Sequence, residues 1–216
     1  MKIAVLDIET TGFIVTTDAV VEIGITLVDT TTQEITKIFD KVILDPVFCK
    51  YNHKTAWIFE NSNLTIEDVL NGVPLEEIED ELQKIFDTYP ITAHNKSFDL
   101  RFLRSRNFEI NDIKCLMRSC RENKLVYTHK GSPKSPSVEE AYQVLFPDEH
   151  YIEKHRGGDD SIHEAKILLK LCEIKAGKFK PTPITLTEEY ETNKRLKKQK
   201  KSNNYIKTFY KQKTLS

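Results

Sequence analysis

Apolar and polar positions along the chain fall into two periods, and they predict where strands and helices lie. Ile3 to Leu6 is a short apolar run that closes on Asp7, the pattern of a core strand. Thr10-Thr11-Gly12 interrupts it. Val20 to Val28 and Ile35 to Leu44 are rich in β-branched residues and flank the polar stretch Asp29 to Glu34, which predicts a hairpin. Pro46 ends its second strand, and Thr65 is placed to cap a short helix beginning Ile66-Glu67-Asp68. Leu75, Ile78, Leu82, Ile85 and Phe86 recur at helical spacing, with Glu76, Glu77, Glu79, Asp80 and Glu81 mostly on the other face. After Pro90, Ile91-Thr92-Ala93 reads as a short strand, and Phe98, Phe102 and Leu103 stripe the helix that follows. Val138 to Phe146 is a further helix stopped by Pro147. Ile162, Ala165, Ile167, Leu168, Leu169 and Leu171 mark a last long helix, with Gly177 as its stop signal.

Strands first, then alternating helix and strand, predict an α/β domain around a mixed sheet. Its expected extent is residues 1–177. Pro181 and Pro183 mark the exit, and residues 178–216 read as a basic tail, mobile or only locally helical. A chain of 216 residues suits one domain with an appendage, and 39% hydrophobic residues suffice for a packed core. No apolar stretch is long enough to span a membrane. The opening run is too short for a secretory signal and ends in a carboxylate. Cys49, Cys115, Cys120 and Cys172 form no CxxC pair, which argues against a zinc site or disulfide framework and for a reducing, intracellular setting. The net charge of −1 hides an asymmetry: residues 178–216 hold 11 of the 32 Lys/Arg and 3 of the 33 Asp/Glu, so the body is acidic and the tail basic. Such a tail suits contact with a polyanion or an acidic partner.

Three groups of residues carry chemistry. Asp7 and Glu9 stand two apart at the end of the first strand, so period-two alternation points both to one face. Two carboxylates on one face repel unless positive charge lies between them. In His94-Asn95-Lys96-Ser97-Phe98-Asp99, Asp99 falls in the first turns of a helix that Ser97 could cap. In His155-Arg156-Gly157-Gly158-Asp159-Asp160, the glycines read as a flexible loop, Asp160 opens the last helix, and His155 can swing over a site that Asp160 anchors. Each group alone has a bland reading: solvated strand-end acids, an acid complementing a helix dipole, a loop histidine. Together, acids at strand ends and helix starts can converge at one sheet edge. There they would suit Mg²⁺ or Mn²⁺, and a neutral histidine would suit the base that deprotonates an attacking water.

Asp7-Ile8-Glu9-Thr10-Thr11-Gly12, His94 to Asp99 and His155 to Asp160 resemble, in order and spacing, the three motifs of the DEDDh exonucleases, the group typified by the proofreading subunit of bacterial replicative polymerase. The resemblance runs from about Lys2 to Ile174. It implies a ribonuclease H-like fold, a central mixed five-stranded sheet flanked by helices. It implies that Asp7, Glu9, Asp99 and Asp160 bind two Mg²⁺ or Mn²⁺ ions and that His155 is the general base. Thr10, Thr11, Gly12 and Phe13 would line the pocket of the terminal nucleotide, with backbone N–H groups toward the 3′-OH and Phe13 stacking on a base. His94 and Asn95 would help shape that pocket. Asp159 competes with Asp160 as ligand, and the four-residue gap after His155 favours Asp160. His163 reads as a plain helix-face histidine.

The expected activity is 3′→5′ hydrolysis of single-stranded DNA or unpaired 3′ ends to nucleoside 5′-monophosphates, whether for replication, proofreading or repair. The rivals are RNA trimming and an inactive nucleic-acid-binding or scaffold module. The stretch Trp57 to Thr65 departs from the family's usual loop and leaves substrate-groove contacts open. In the tail, Lys194 to Lys201 is a dense basic run suited to phosphate contact and resembles a nuclear localisation signal, so the expected setting is cytoplasmic or, in a eukaryote, nuclear. Asn203 to Tyr210 resembles the peptide that binds sliding clamps, with Asn203 where Gln is usual; a polymerase or clamp is the expected partner.

Overall fold

The three strands expected from the sequence form the middle of one sheet, the first of them longer than the expected Ile3–Leu6 run. In this computed structural model, residues 1–196 are described. They are β1 (Lys2–Thr10), β2 (Val20–Asp29) and β3 (Glu34–Leu44), joined in antiparallel meander. Two short parallel strands extend the sheet: β4 (Val73–Pro74) beside β3 and β5 (Ile91–Thr92) beside β1. The order is β4-β3-β2-β1-β5, a mixed five-stranded sheet of ribonuclease H-like form. Between β3 and β4 lie three short helices, α1 (Lys50–His53), α2 (Trp57–Asn61) and α3 (Ile66–Leu70). The rest are α4 (Leu75–Thr88), α5 (Lys96–Arg104), α6 (Leu116–Glu122), α7 (Val138–Leu145) and α8 (Gly157–Lys175), with a second small sheet of β6 (Val126–Tyr127) and β7 (Ile184–Thr185).

Alternation along β1 divides the core. Ala4, Leu6 and Ile8 pack with Ile78, Leu82 and Phe86 of α4 and Leu100, Phe102 and Leu103 of α5. Ile3 and Val5 face the other way, with Ala165, Ile167, Leu168 and Leu171 of α8 and Val138, Ala141 and Tyr142 of α7. Asp7 and Glu9 continue the second series, so they point toward the α8 side of the sheet. Fully burying a side chain such as Leu82 or Ile167 contributes about 1.5–3 kcal/mol each, and these apolar layers hold the strand ends in place.

The expected capping by Thr65 is present: its hydroxyl accepts the Asp68 N–H, and the Asp68 carboxylate accepts the Thr65 N–H in return. Gly177, at φ +70°, ends α8 as expected. Two expectations change. Helix α8 begins at Gly157, so the glycine pair belongs to its first turn and is buried. The stretch after residue 177, expected to leave the domain as a tail mobile or only locally helical, is helical over residues 188–196 and keeps contact with the domain as far as Lys194. There β7 pairs with β6, Leu186 is buried in the core, and Lys194 Nζ meets Glu140 2.8 Å away. An acidic body holds the start of the basic segment. The rest of the basic run and Asn203 to Tyr210 lie outside the described residues.

Candidate active site

Each acid is placed by a different element. In β1, Asp7 lies opposite Gly24 and Glu9 opposite Glu22 of β2. Helix α8 can approach that ladder because three glycines meet there. A Cβ on Gly24 would fall 2.0 Å from the Gly157 carbonyl carbon, and one on Gly157 would fall 2.9 Å from the Gly24 nitrogen. The helix start is then pinned. The Gly157 N–H donates to Glu22 at 3.2 Å, and the Arg156 guanidinium grips the same carboxylate at 2.7–3.0 Å. Asp160 ends up 1% exposed, one oxygen accepting the Arg156 N–H at 3.0 Å and the other the Tyr151 hydroxyl at 2.7 Å. Asp99 sits in the first turn of α5, just past β5, and is 4% exposed.

His155 completes the group. A ligand-capable nitrogen of its ring lies within 4.8 Å of carboxylate oxygens of Glu9 and Asp160. Its φ is +55°, a left-handed conformation that is uncommon outside glycine, and such strain gathers at functional sites. Trp57 stands edge-on to its ring, centroids 4.5 Å apart at 80°. Asn63 holds the neighbouring Arg156 at 2.7 Å. The segment that departs from the family's usual loop therefore braces the histidine.

Electrostatics set these acids apart. Burial, followed by the charges of Glu164, Glu9, Asp99 and Asp160, pushes Asp7 well above the usual carboxylate range. Burial and then Asp160 do the same for Glu9. Burial raises Asp99 to about 7 against its backbone hydrogen bonds. Among the described residues, no lysine or arginine is in ion-pair distance of any of them. Crowded, buried, all-oxygen donors with one imidazole are the set that a hard divalent cation satisfies, so the residues fit the expected metal centre.

Other expected residues are placed less directly. Thr11 is buried and committed to the loop: its N–H donates to the Ala19 carbonyl at 2.9 Å and its hydroxyl accepts the Ala19 N–H at 2.8 Å. That N–H is therefore not available to a 3′-OH. Thr10 donates its hydroxyl to the Gly12 carbonyl at 2.8 Å. Phe13 is exposed, 6.1 Å edge-on from Phe98, with Arg101 donating to its carbonyl at 2.8 Å. His94 is 4% exposed, its Nε2 within 2.8 Å of the Pro136 carbonyl, and burial lowers its pKa to about 4; it is a neutral core side chain. Asn95 rather than Ser97 occupies the cap position of α5, with no side-chain cap bond, because that helix begins at Lys96. Asp159 meets Lys154 at 2.9 Å through one oxygen and also groups with Asp160 and His163, their ligand atoms all within 4.8 Å, while the His163 ring stacks on Tyr151.

Sequence reasoning missed Tyr151, Trp57, Glu164 and the Arg106 staple. The Arg106 guanidinium joins Asp45 to the carbonyls of Val15 and Asp18, fixing the loop that carries Phe13. Only Glu164 had a legible signal, an acid one turn beyond Asp160 on an otherwise apolar helix face.

The fold and the converging acids define a nuclease of the ribonuclease H-like class. Residues 4–168 match the family described as exonuclease under the RNase T name. The chain belongs to that family. It is 27% identical over 200 residues to a 3′-5′ exonuclease DinG of Staphylococcus saprophyticus, covering 90% of this chain but only 20% of that protein's length. Among solved structures it resembles the nuclease domain of 3′hExo, a DEDDh family member bound to rAMP (TM-score 0.60, 14% identity, 84% of this chain and 96% of that one). It also resembles E. coli Exonuclease I in complex with a dA16 oligonucleotide (TM-score 0.57, 14% identity, 80% and 41%). No helix of the described residues is long and apolar enough to cross a membrane.

Proposed function

We propose that this chain is a 3′→5′ exonuclease that releases nucleoside 5′-monophosphates from single-stranded DNA or unpaired 3′ ends. The observation that carries the reading is the convergence of Asp7, Glu9, Asp99 and Asp160 from β1, α5 and α8, with His155 within 4.8 Å of two of them. In this reading the four carboxylates hold two divalent cations, Mg²⁺ or Mn²⁺. Bound there, such ions would supply positive charge to stabilise the charge that develops on a phosphodiester during hydrolysis. His155 accepts the proton of the attacking water at a ring nitrogen, and Trp57 and the Arg156 grip keep that ring in place. Tyr151 and the Arg156 N–H each hold one oxygen of Asp160 and so fix its carboxylate beside the cluster. Phe13, exposed at the mouth of the loop stapled by Arg106, stacks on the terminal base, with the Gly12 segment beside it.

RNA trimming is the second reading, favoured by the rAMP bound to the 3′hExo domain just as the dA16 bound to Exonuclease I favours DNA. An inactive binding module is disfavoured, since it need not keep all five residues. The proposed partner is a single nucleic-acid strand. A polymerase or sliding clamp reached through residues 203–210 and an intracellular place of action are parts of the same proposal.

Gel-resolved digestion of 5′-labelled DNA and RNA oligonucleotides, with Mg²⁺, Mn²⁺ or chelator, tests it. The expected result is a ladder shortening from the 3′ end only with metal. No product from either strand with either metal would move the reading to a binding module.

A further inference from the structure

Glu164 follows Asp160 by four residues on α8, one turn along the same helix face. It is 2% exposed among Ala165, Ile167 and Leu168. Its Oε2 accepts the backbone N–H of His94 at 2.8 Å. That bond links α8, which carries Asp160, to the corner between β5 and α5, which carries Asp99. Glu164 is also the strongest neighbouring charge acting on Asp7, and Asp99 is the strongest acting on Glu164. The side chain is therefore within electrostatic reach of both acids, although no sequence motif includes it.

A peptide N–H does not require a charged acceptor, since a glutamine oxygen would serve. A buried carboxylate without a cationic partner is costly, and no described lysine or arginine pairs with Glu164. Its charge makes sense if positive charge arrives in the cluster. We propose that Glu164 is a fifth carboxylate of the metal centre. It acts as a positioning residue that strengthens cation capture through its charge and ties the Asp99 corner to the Asp160 helix. The inference rests on the metal-dependent reading above and deepens it.

The test is calorimetric titration of Mn²⁺ into the full-length chain, with thermal midpoints measured in chelator. Glu164→Gln keeps the acceptor for His94 and removes the charge. It is expected to weaken Mn²⁺ binding about tenfold, from loss of one nearby unit charge, and to raise the metal-free midpoint. Glu164→Asp keeps the charge and shortens the reach; it is expected to retain affinity close to wild type. If Gln binds Mn²⁺ like wild type while Asp binds weakly, Glu164 is a mechanical strut and the charge role is overturned. If Gln does not fold, the Asp variant decides: near-wild-type affinity supports the charge role and a tenfold loss overturns it. Absence of Mn²⁺ binding by the wild-type chain, or full binding by Asp160→Asn, overturns the metal-centre reading itself. That outcome is distinct from normal wild-type binding with an unaffected Glu164→Gln.

Discussion

Buried carboxylates occur in two kinds of surroundings in this molecule. Asp45 is met by Arg106, Glu22 by Arg156, and Glu140 by Lys134 and Lys194. Asp99 and Glu164 are equally enclosed, Asp7 and Glu9 are half-buried, and none of the four has such a partner among the described residues. The consequence is opposite in sign. Burial pushes Glu140 up, but hydrogen bonds from Lys134 and Lys194 outweigh it and leave the carboxyl below its ordinary value. In the unpaired set, burial wins and like charges add to it. The first group holds the scaffold together, and the second is held together by the scaffold. An acid tolerated in the second condition points to a cation that arrives from outside.

The comparison is broken most strongly by removing a member of the unpaired set. Asp7→Ala is expected to lower turnover by about 10³-fold or more with the fold intact, checked by digestion assays beside circular dichroism. Removing a partner from the paired set should act on stability instead. Arg106→Leu leaves Asp45 buried without a counter-charge and is expected to cost about 3–5 kcal/mol in urea unfolding. His155→Ala should cut the rate by roughly 10²–10⁴ and remove the acidic limb of the pH–rate profile; an unchanged profile would refute its role as base. Gly24→Ala forces a methyl group against the Gly157 backbone and is expected to destabilise by about 1–3 kcal/mol. Gly158→Ala should cost less, because the atoms it would meet belong to the movable Asp40 carboxylate.

The smallest effect is a pH dependence whose sign separates the two sets. The Asp99 carboxyl is raised from 3.8 to about 7, so the folded chain holds a proton that the unfolded chain has released between those values. Its contribution is fully present below pH 3.8 and is lost as pH rises toward about 7. In chelator, Asp99→Asn should therefore raise the thermal midpoint by roughly 3 °C at pH 8, and the gain should shrink toward pH 4. Divalent metal should reverse the order of the two proteins at pH 8. A midpoint for Asp99→Asn that stays below wild type in chelator at pH 8 would place Asp99 with the paired acids.

Much of this was legible without coordinates. The three long strands, α4, α5, α7 and α8 each carry enough repeating apolar positions for their period to show. The acids at positions 7, 9, 99 and 160 stand at strand ends and helix starts, where local signals are strong. Apart from α3, marked by its Thr65 cap, and β5, which follows Pro90, the short elements were not legible. Helices α1, α2 and α6 have four to seven residues, less than two turns, and strands of two residues have no period at all. They exist because long-range neighbours hold them.

The sequence by itself determined the fold class, the order of the motifs and the chemistry of their donors, because these depend on residue type and spacing along one segment. Only the tertiary structure decided which acids face a counter-charge and which face one another. It alone showed that two glycines open α8 rather than loop past it, that Trp57 braces His155, and that the start of the basic segment stays bound to Glu140. Burial and pairing are properties of residues distant in the chain, and they appear only when the sheet and α8 close on one another.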